Sequence, residues 1–312
     1  MNAPSLRDLK ILVTGLTGQV ARPIALQLAP SNEVWGIARF SDPARRQQLE
    51  EGGVRCETLD LESGDFSSLP TDFDVVLHFA VSRSTPPDFD RDLRANAEAV
   101  GLLMAHTRPA TAFFHCSTTG VYEAAGQTVF TEESPLGDNH RVMMPTYSIA
   151  KISAEAVVRT TARQLGIPTL IARLNTPYGD TGGWPWYHLL MMKGGVPIPV
   201  HRDGPSRYTL LHQRDILRTL PGLVRAASVP ARIVNWCGSE HVAIEEWCAW
   251  LGELTGLEPK FAPTENTLES VMTSDARMRE WAGPAEVPWK QGIREMVEAL
   301  APELLREATP AD

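Results

Sequence analysis

The sequence has few cysteines, no long apolar run and no surplus of basic residues, and each scarcity narrows what it encodes. Four cysteines among 312 residues, Cys56, Cys116, Cys237 and Cys248, are scattered with no C-x-x-C pair and no histidine at ligand spacing. They read as reduced thiols, not as a disulfide framework or a metal site, so no bound metal is expected. No stretch approaches the roughly 18–20 unbroken apolar residues of a membrane-spanning helix, and the start MNAPSLRDLK lacks the apolar core of a signal peptide. A cytoplasmic protein with no membrane partner is the expectation. With 29 Lys and Arg against 38 Asp and Glu the formal charge is −9. That is the wrong sign for a partner held through its phosphate backbone, so no nucleic acid is expected. Internal repeats and low-complexity runs are absent too.

What is present is a chain that is 43% hydrophobic, enough to bury a substantial core. Its first 180 residues alternate short β-branched runs with helical patterns, the signature of β-α-β units and a parallel sheet. The expected strands are KILVTG (10–15), EVWGIAR (33–39), VRCETLD (54–60), VVLHFA (75–80), AFFHCS (112–117) and PTLIAR (168–173). Helical stretches fall near 19–29, 43–51, 91–107 and 148–165. Runs such as ILV and VVL, apolar without alternation, suit strands covered on both faces. After Arg173 the texture turns to Gly, Pro and Trp, and residues 177–207 read as a loop-rich, aromatic pocket wall. A helix near 213–227 and a strand ARIVNWCG (231–238) are placed to return to the sheet. The resulting expectation is an α/β fold with a doubly wound parallel sheet. Residues 1–180 and 213–238 form its nucleotide-binding domain, and 181–212 and 239–312 a smaller, discontinuous substrate lobe.

The segment VTGLTGQVA (13–21) follows a strand and opens a helix. Gly15 and Gly18 permit a tight turn and close approach of backbone N–H groups to a pyrophosphate, which would rest on the positive helix N-terminus. Ala21 stands where a third glycine often serves helix–strand packing, and its small side chain suits that place. An acid at the end of the second strand would bond a ribose 2′-hydroxyl, whereas an arginine accommodates a 2′-phosphate. This chain has Arg39, with Arg45 and Arg46 beyond it, so NADP is expected ahead of NAD.

Further along stand Asp60 and Leu61 in LDL, HFAV (78–81), CSTTGVY (116–122), YSIAK (147–151) and RLNTPYG (173–179). In this order and at these intervals over about 180 residues, they resemble the extended short-chain dehydrogenase/reductases, the NAD-dependent epimerase/dehydratase group with its Rossmann-type fold. The resemblance implies a glycine loop of Gly15, Thr17, Gly18, Gln19 and Val20, and an adenine flanked by Asp60 and Leu61. It implies that Phe79, Ala80 and Val81 run along the cofactor's middle, with Ser117, Thr176 and Pro177 also among the cofactor-binding residues. Asn96 matches the family's helix asparagine, a residue equally suited to satisfying nearby backbone.

Tyr147 and Lys151 lie four apart on a helix and share a face. When a hydride reaches a carbonyl carbon the oxygen needs a proton from a positioned acid. A phenol serves near neutral pH only if a cation favours its ionised form, which Lys151 is expected to do. The resemblance adds that Lys151 holds the nicotinamide ribose. It also places the catalytic hydroxyl four residues before Tyr122, at Thr118, with Ser117 as runner-up and Thr119 beside them.

Two reactions compete. Arg207 matches an arginine that clasps a diphosphate in sugar-nucleotide enzymes. Against that, RLNTPYGD puts Thr176 where the family's diphosphate-supporting asparagine stands, with Asn175 one place early, and residues 261–281 offer no second nucleotide-binding arginine. Trp184 and Trp186, next to glycines, read as an apolar pocket wall or lid. None of His140, His188, His201 and His212 is assigned a catalytic role. The leading expectation is an NADP-preferring oxidoreductase interconverting a carbonyl and an alcohol on a small, largely apolar substrate. The alternative is a nucleotide-sugar epimerase or dehydratase with tightly bound NAD. A homodimer through helices near 91–107 and 148–165 is implied by the resemblance, and AEAVGLLMAH supplies an apolar face for it.

Overall fold

The protein is described here by a computed structural model covering residues 6–306. Residues 1–5, part of the start read above, and 307–312, the end of the expected lobe, lie outside the described residues. Seven strands form one parallel sheet: β1 (Lys10–Thr14), β2 (Glu33–Ala38), β3 (Arg55–Thr58), β4 (Val75–His78), β5 (Ala112–Thr118), β6 (Thr169–Leu174) and β7 (Arg232–Trp236). Their spatial order is β3-β2-β1-β4-β5-β6-β7. Every expected strand is present, and the ARIVNWCG run does return to the sheet, as its β7 edge.

The unalternating apolar runs are explained by what covers them. Ile11 and Val13 of β1 face a core completed by α1 (Ala21–Leu28) and by Leu49 of α2 (Pro43–Glu51), while Leu12 between them faces the opposite core. Because successive strand side chains point to opposite faces, both parities must be apolar when both faces are buried. The cover on the second face is a helical run in two parts, α3 (Phe89–Leu93) and α4 (Ala99–His106), joined by a π-turn at Arg94–Glu98, together with the long α5 (Tyr147–Leu165). In α5 the small or branched side chains Ala150, Ala154, Val158 and Ala162 recur every four residues, so one stripe packs flat on the sheet. Gly166, at φ +70°, closes α5 in the left-handed conformation glycine tolerates best.

A second core lies beyond the carboxyl ends of the strands. Tyr122, Phe130, Tyr178, Leu189, Trp247 and Met296 anchor it, and short strands stitch distant segments together there. Val129–Phe130 pairs with Met272–Thr273, and Ile198–His201 pairs with Phe261–Thr264.

The stretch read from sequence as loop-rich holds a ten-residue helix, Trp184–Lys193. Pro185 sits in its first turn, where a missing N–H costs nothing. Burial of Leu189 and Met192 then supplies the order that local propensity lacks. Trp247 Nε1 donates to His188 Nδ1 at 2.9 Å and the two rings stack, so His188 is a core residue of this lobe. Among the described residues no helix is long and apolar enough to cross a membrane.

Candidate active site

In the order β3-β2-β1-β4-β5-β6-β7 the chain winds one way from β1 and the other way from β4, and ligands of open α/β sheets bind outside the carboxyl ends at such a switch point. A cleft of about 390 Å³ opens there. Its walls come from the segments just past β1, β4, β5 and β6, closed by Trp184, Tyr208 and Val271 of the lobe. A smaller recess of about 100 Å³ adjoins it, lined by Gly15, Thr17, Arg39, Asp60, Leu61, Ala80 and Val81 among others.

The glycine loop fits a close-lying ligand. Gly15 holds φ +72°, and a Cβ there would stand 2.7 Å from the Ala80 backbone. No side chain caps α1 and its first turn carries no acid, leaving the helix N-terminus open where Gln19, Val20 and Ala21 line the cleft. These are the demands of a dinucleotide pyrophosphate. Arg45 reaches Thr17 O at 3.2 Å and Arg46 bonds Glu50, Thr58 and Cys56 O. Both are engaged by the protein, whereas the exposed Arg39 lines the recess.

At the other end Tyr147 opens α5, and its phenol shares the cleft wall with the side chain of Thr118. Thr118 Oγ1 accepts from Gly120 N at 3.1 Å, which fixes the rotamer and leaves its O–H to donate into the cleft. Ser117 also lines the cleft, but its hydroxyl is spent elsewhere, donating to the buried Glu155 carboxylate at 2.6 Å. Of the two candidate hydroxyls, that of Thr118 is the one left to act on the phenol. Thr119 and Pro177 line the cleft as expected, and so does Thr176, whose Oγ1 donates to Asn175 Oδ1. Asn175 gives its amide nitrogen to Val271 O and Thr273 Oγ1, so it does not stand in for the asparagine that Thr176 replaces.

Lys151 is buried, and its Nζ donates to Cys116 O at 2.9 Å. Burial pushes the ammonium down from its ordinary range. Burial likewise pushes the Tyr147 phenol up, while the Thr118 hydroxyl and the nearby Arg83 guanidinium pull it back. The Arg83 guanidinium is thus a second cation near the phenol, in addition to Lys151 one helical turn along α5.

Two expectations change. Trp186 is not among the cleft residues; it packs on the lobe core, because two helical positions carry it about 200° around from Trp184. Arg207 is also absent from the cleft wall. In the strand Arg207–Thr209 it is Tyr208 that faces the cleft, edge-on to Trp184 at 4.9 Å. Asn96 sits in the π-turn and bonds backbone on three sides: its amide nitrogen donates to Asp92 O and Ser82 O, and its oxygen accepts from Ser82 N. Its role is to staple the loop after β4. Arg83, Met144, Tyr208 and Val271 line the cleft without having been marked by any motif. His140 lines it too, its ring 5.7 Å from that of Tyr147, and burial lowers its pKa to about 4.

A family model described as the NAD-dependent epimerase/dehydratase family matches residues 11–235. The chain belongs to that family. Its extended short-chain dehydrogenase/reductase character, inferred from motifs, is confirmed by this match. Among curated relatives, a trifunctional UDP-glucose 4,6-dehydratase/UDP-4-keto-6-deoxy-D-glucose 3,5-epimerase/UDP-4-keto-L-rhamnose reductase of Arabidopsis thaliana is 22% identical over 92% of this chain. The chain spans 46% of that protein's length. An uncharacterized UDP-glucose epimerase of Bacillus subtilis is 23% identical over 80% of the chain and 83% of its own length. The UDP-glucuronic acid 4-epimerase of Bacillus cereus, solved with UDP-glucuronic acid and NAD, superposes with a TM-score of 0.81 at 20% identity, covering 93% of this chain and 98% of that one. At that identity the likeness establishes the shared Rossmann-type fold of the epimerase/dehydratase family.

Proposed function

We propose that this epimerase/dehydratase family member is an NAD-dependent epimerase or dehydratase of a nucleotide-linked sugar, with Tyr147 as its acid–base group. The observation that carries the reading is the convergence of Tyr147 and Thr118 on one cleft, with Lys151 one turn along α5. A nicotinamide cofactor bound in the cleft supplies the hydride acceptor. Thr118 donates to the substrate oxygen and fixes where the reacting carbinol sits, and Tyr147 takes or returns that oxygen's proton. Lys151, buried and tied to Cys116 O, lines the same cleft as a cationic donor. The glycine loop and the open N-terminus of α1 hold the pyrophosphate.

The sugar-nucleotide substrate is supported by the curated relatives, each named for a nucleotide-sugar dehydratase or epimerase. NAD is supported by the solved neighbours that contain it. This reverses the order of preference drawn from sequence, where the reductase came first. The reductase reading stays as the second, favoured by the exposed Arg39 in the adenosine recess and by the apolar wall of Leu174, Trp184 and Val271.

The two differ in what happens to cofactor. Protein purified without added nucleotide is denatured, and the released cofactor is identified by chromatography and mass. Near-stoichiometric NAD, with conversion of UDP- or dTDP-glucose and no net change at 340 nm, is the expected result. Cofactor-free protein that consumes NADPH stoichiometrically with a carbonyl compound, and loses its NADP preference on Arg39→Ala, overturns it in favour of the second reading.

A further inference from the structure

The cleft wall contains no aspartate or glutamate, yet it contains two cations, Lys151 and Arg83. Lys151 is committed to Cys116 O. Arg83 is exposed, and among the described residues its only hydrogen bond goes to the thioether sulfur of Met144, at 3.0 Å. A thioether is a weak acceptor and leaves most of a guanidinium's five donors unused. No carboxylate of the described residues lies within ion-pair distance of it, in contrast to Arg91, Arg202 and Arg214, each of which has one.

The backbone on both sides of Arg83 is held in place. Ser82 is bonded through both N–H and C=O to the Asn96 amide, and Ser84 N donates to the buried Asp92 carboxylate at 2.9 Å. The second oxygen of Asp92 accepts from Thr146 Oγ1 at 2.5 Å, and Thr146 directly precedes Tyr147. One buried acid therefore ties the loop carrying Arg83 to the helix start carrying Tyr147. An unpaired cation on a loop fixed this firmly, at the reacting end of a cleft with no acid, is arranged for an anion brought by the ligand.

The geometry points to Arg83 as an anion anchor that selects a substrate bearing a carboxylate close to the reacting carbinol, as in a nucleotide-linked uronic acid. The inference rests on the nucleotide-sugar reading and names the substrate class within it. A carboxylate at the sugar's C6 is two bonds from C4, whereas the diphosphate hangs from C1 across the ring. A cation beside Tyr147 therefore suits the carboxylate. Arg83 also lowers the phenol's pKa in the free protein, and an anion seated between the two groups would cancel part of that effect.

The test is calorimetric titration of NAD-loaded protein with UDP-glucuronic acid, UDP-glucose and UDP, in wild type, Arg83→Gln and Arg83→Lys. A charge-assisted bond of this kind discriminates by about tenfold to a hundredfold in Kd. The expected result is tighter binding of the uronic acid than of UDP-glucose by wild type. Arg83→Gln should erase that gap while UDP-glucose, UDP and NAD affinities stay within about twofold, and Arg83→Lys should restore part of it. Equal affinities in wild type overturn the proposal. So does a loss in Arg83→Gln that is shared by UDP, which would mark a diphosphate contact, or by NAD, which would mark a cofactor contact. If no nucleotide binds, the nucleotide-sugar reading falls by itself. The anchor is then judged on NADPH turnover of levulinate against its methyl ester, where wild type should prefer the acid and Arg83→Gln should not; no preference in wild type overturns it there too.

Discussion

Arg173 on β6 grips Glu155 on α5 through two parallel bonds, Nε to Oε1 at 3.0 Å and Nη2 to Oε2 at 2.8 Å, with both side chains buried. Ser117 of β5 adds a third bond to Oε1, and the Arg173 guanidinium lies over the Tyr122 ring at 4.9 Å while donating to Glu132 O. Two strand ends and helix α5 are thus joined just behind the cleft, one residue from Thr118 and four from Lys151. Glu155→Leu leaves a guanidinium buried without its carboxylate, and such a break costs about 3–5 kcal/mol. The double variant Glu155→Leu/Arg173→Met removes the stranded charge and should recover most of that loss. Urea unfolding with an unchanged m-value checks both; a single variant within 1 kcal/mol of wild type, an order-of-magnitude bound for a surface pair, would show that the pair contributes nothing.

Tyr147→Phe removes the acid and keeps the ring, so cofactor affinity should hold while turnover falls by about 10²–10⁴-fold, the range for a positioned proton donor. Thr118→Val removes the hydroxyl that shares the cleft wall with the phenol, and turnover should fall by about tenfold to a thousandfold with the larger effect on kcat. Stopped-flow cofactor binding and steady-state kinetics separate the two effects. Near-normal turnover in Tyr147→Phe would end the assignment.

The sheet was legible because parallel strands buried on both faces must be apolar at successive positions, as ILV and VVL are. The site was legible where chemistry imposes spacing: Gly15 needs a positive φ against Ala80, and Tyr147 and Lys151 need one helical turn. What stayed hidden depends on contacts far along the chain. The helix Trp184–Lys193 forms because Leu189 and Met192 find Trp247 and its neighbours, which a local reading of glycines and prolines does not reveal. Once that helix exists, its period separates Trp184 from Trp186, and the two-residue period of Arg207–Thr209 turns Tyr208 inward in place of Arg207. Arg83 carries no pattern at all; only the π-turn and Asp92 set it beside Tyr147.

Helices α4 and α5 carry exposed apolar side chains on their outer faces, with Leu102 at 51% and Ile149 at 37% exposure. Pairing of these helices with those of a second copy would cover them in a self-complementary four-helix contact. Solution scattering should give a dimer's mass, and Leu102→Glu with Ala156→Glu should give a monomer by setting like charges across the two-fold axis. A wild-type monomer removes the expectation.

Acid should destabilise this protein earlier than an average histidine content suggests, because several of its histidines are buried and neutral. Burial depresses His78 to about 3, His140 and His188 to about 4, and His115 well below its ordinary value. His78 and His115 stack at 5.3 Å near the Lys151 ammonium, which adds to their depression, and neither His115 nitrogen has a protein partner. In the unfolded chain each titrates near 6.5, so below that pH the unfolded state binds more protons. The stability from keeping them neutral is present in full above about pH 6.5 and is lost progressively as pH falls toward 3–4, at up to about 1.4 kcal/mol per pH unit for each proton. His115→Leu removes one such group and a stranded polar ring at once. Urea midpoints at pH 7, 6 and 5 should fall less steeply for that variant, by close to one proton's worth of slope, with no loss of stability at pH 7. Parallel pH profiles for the variant and wild type would show that His115 is protonated equally in both states, contrary to its burial.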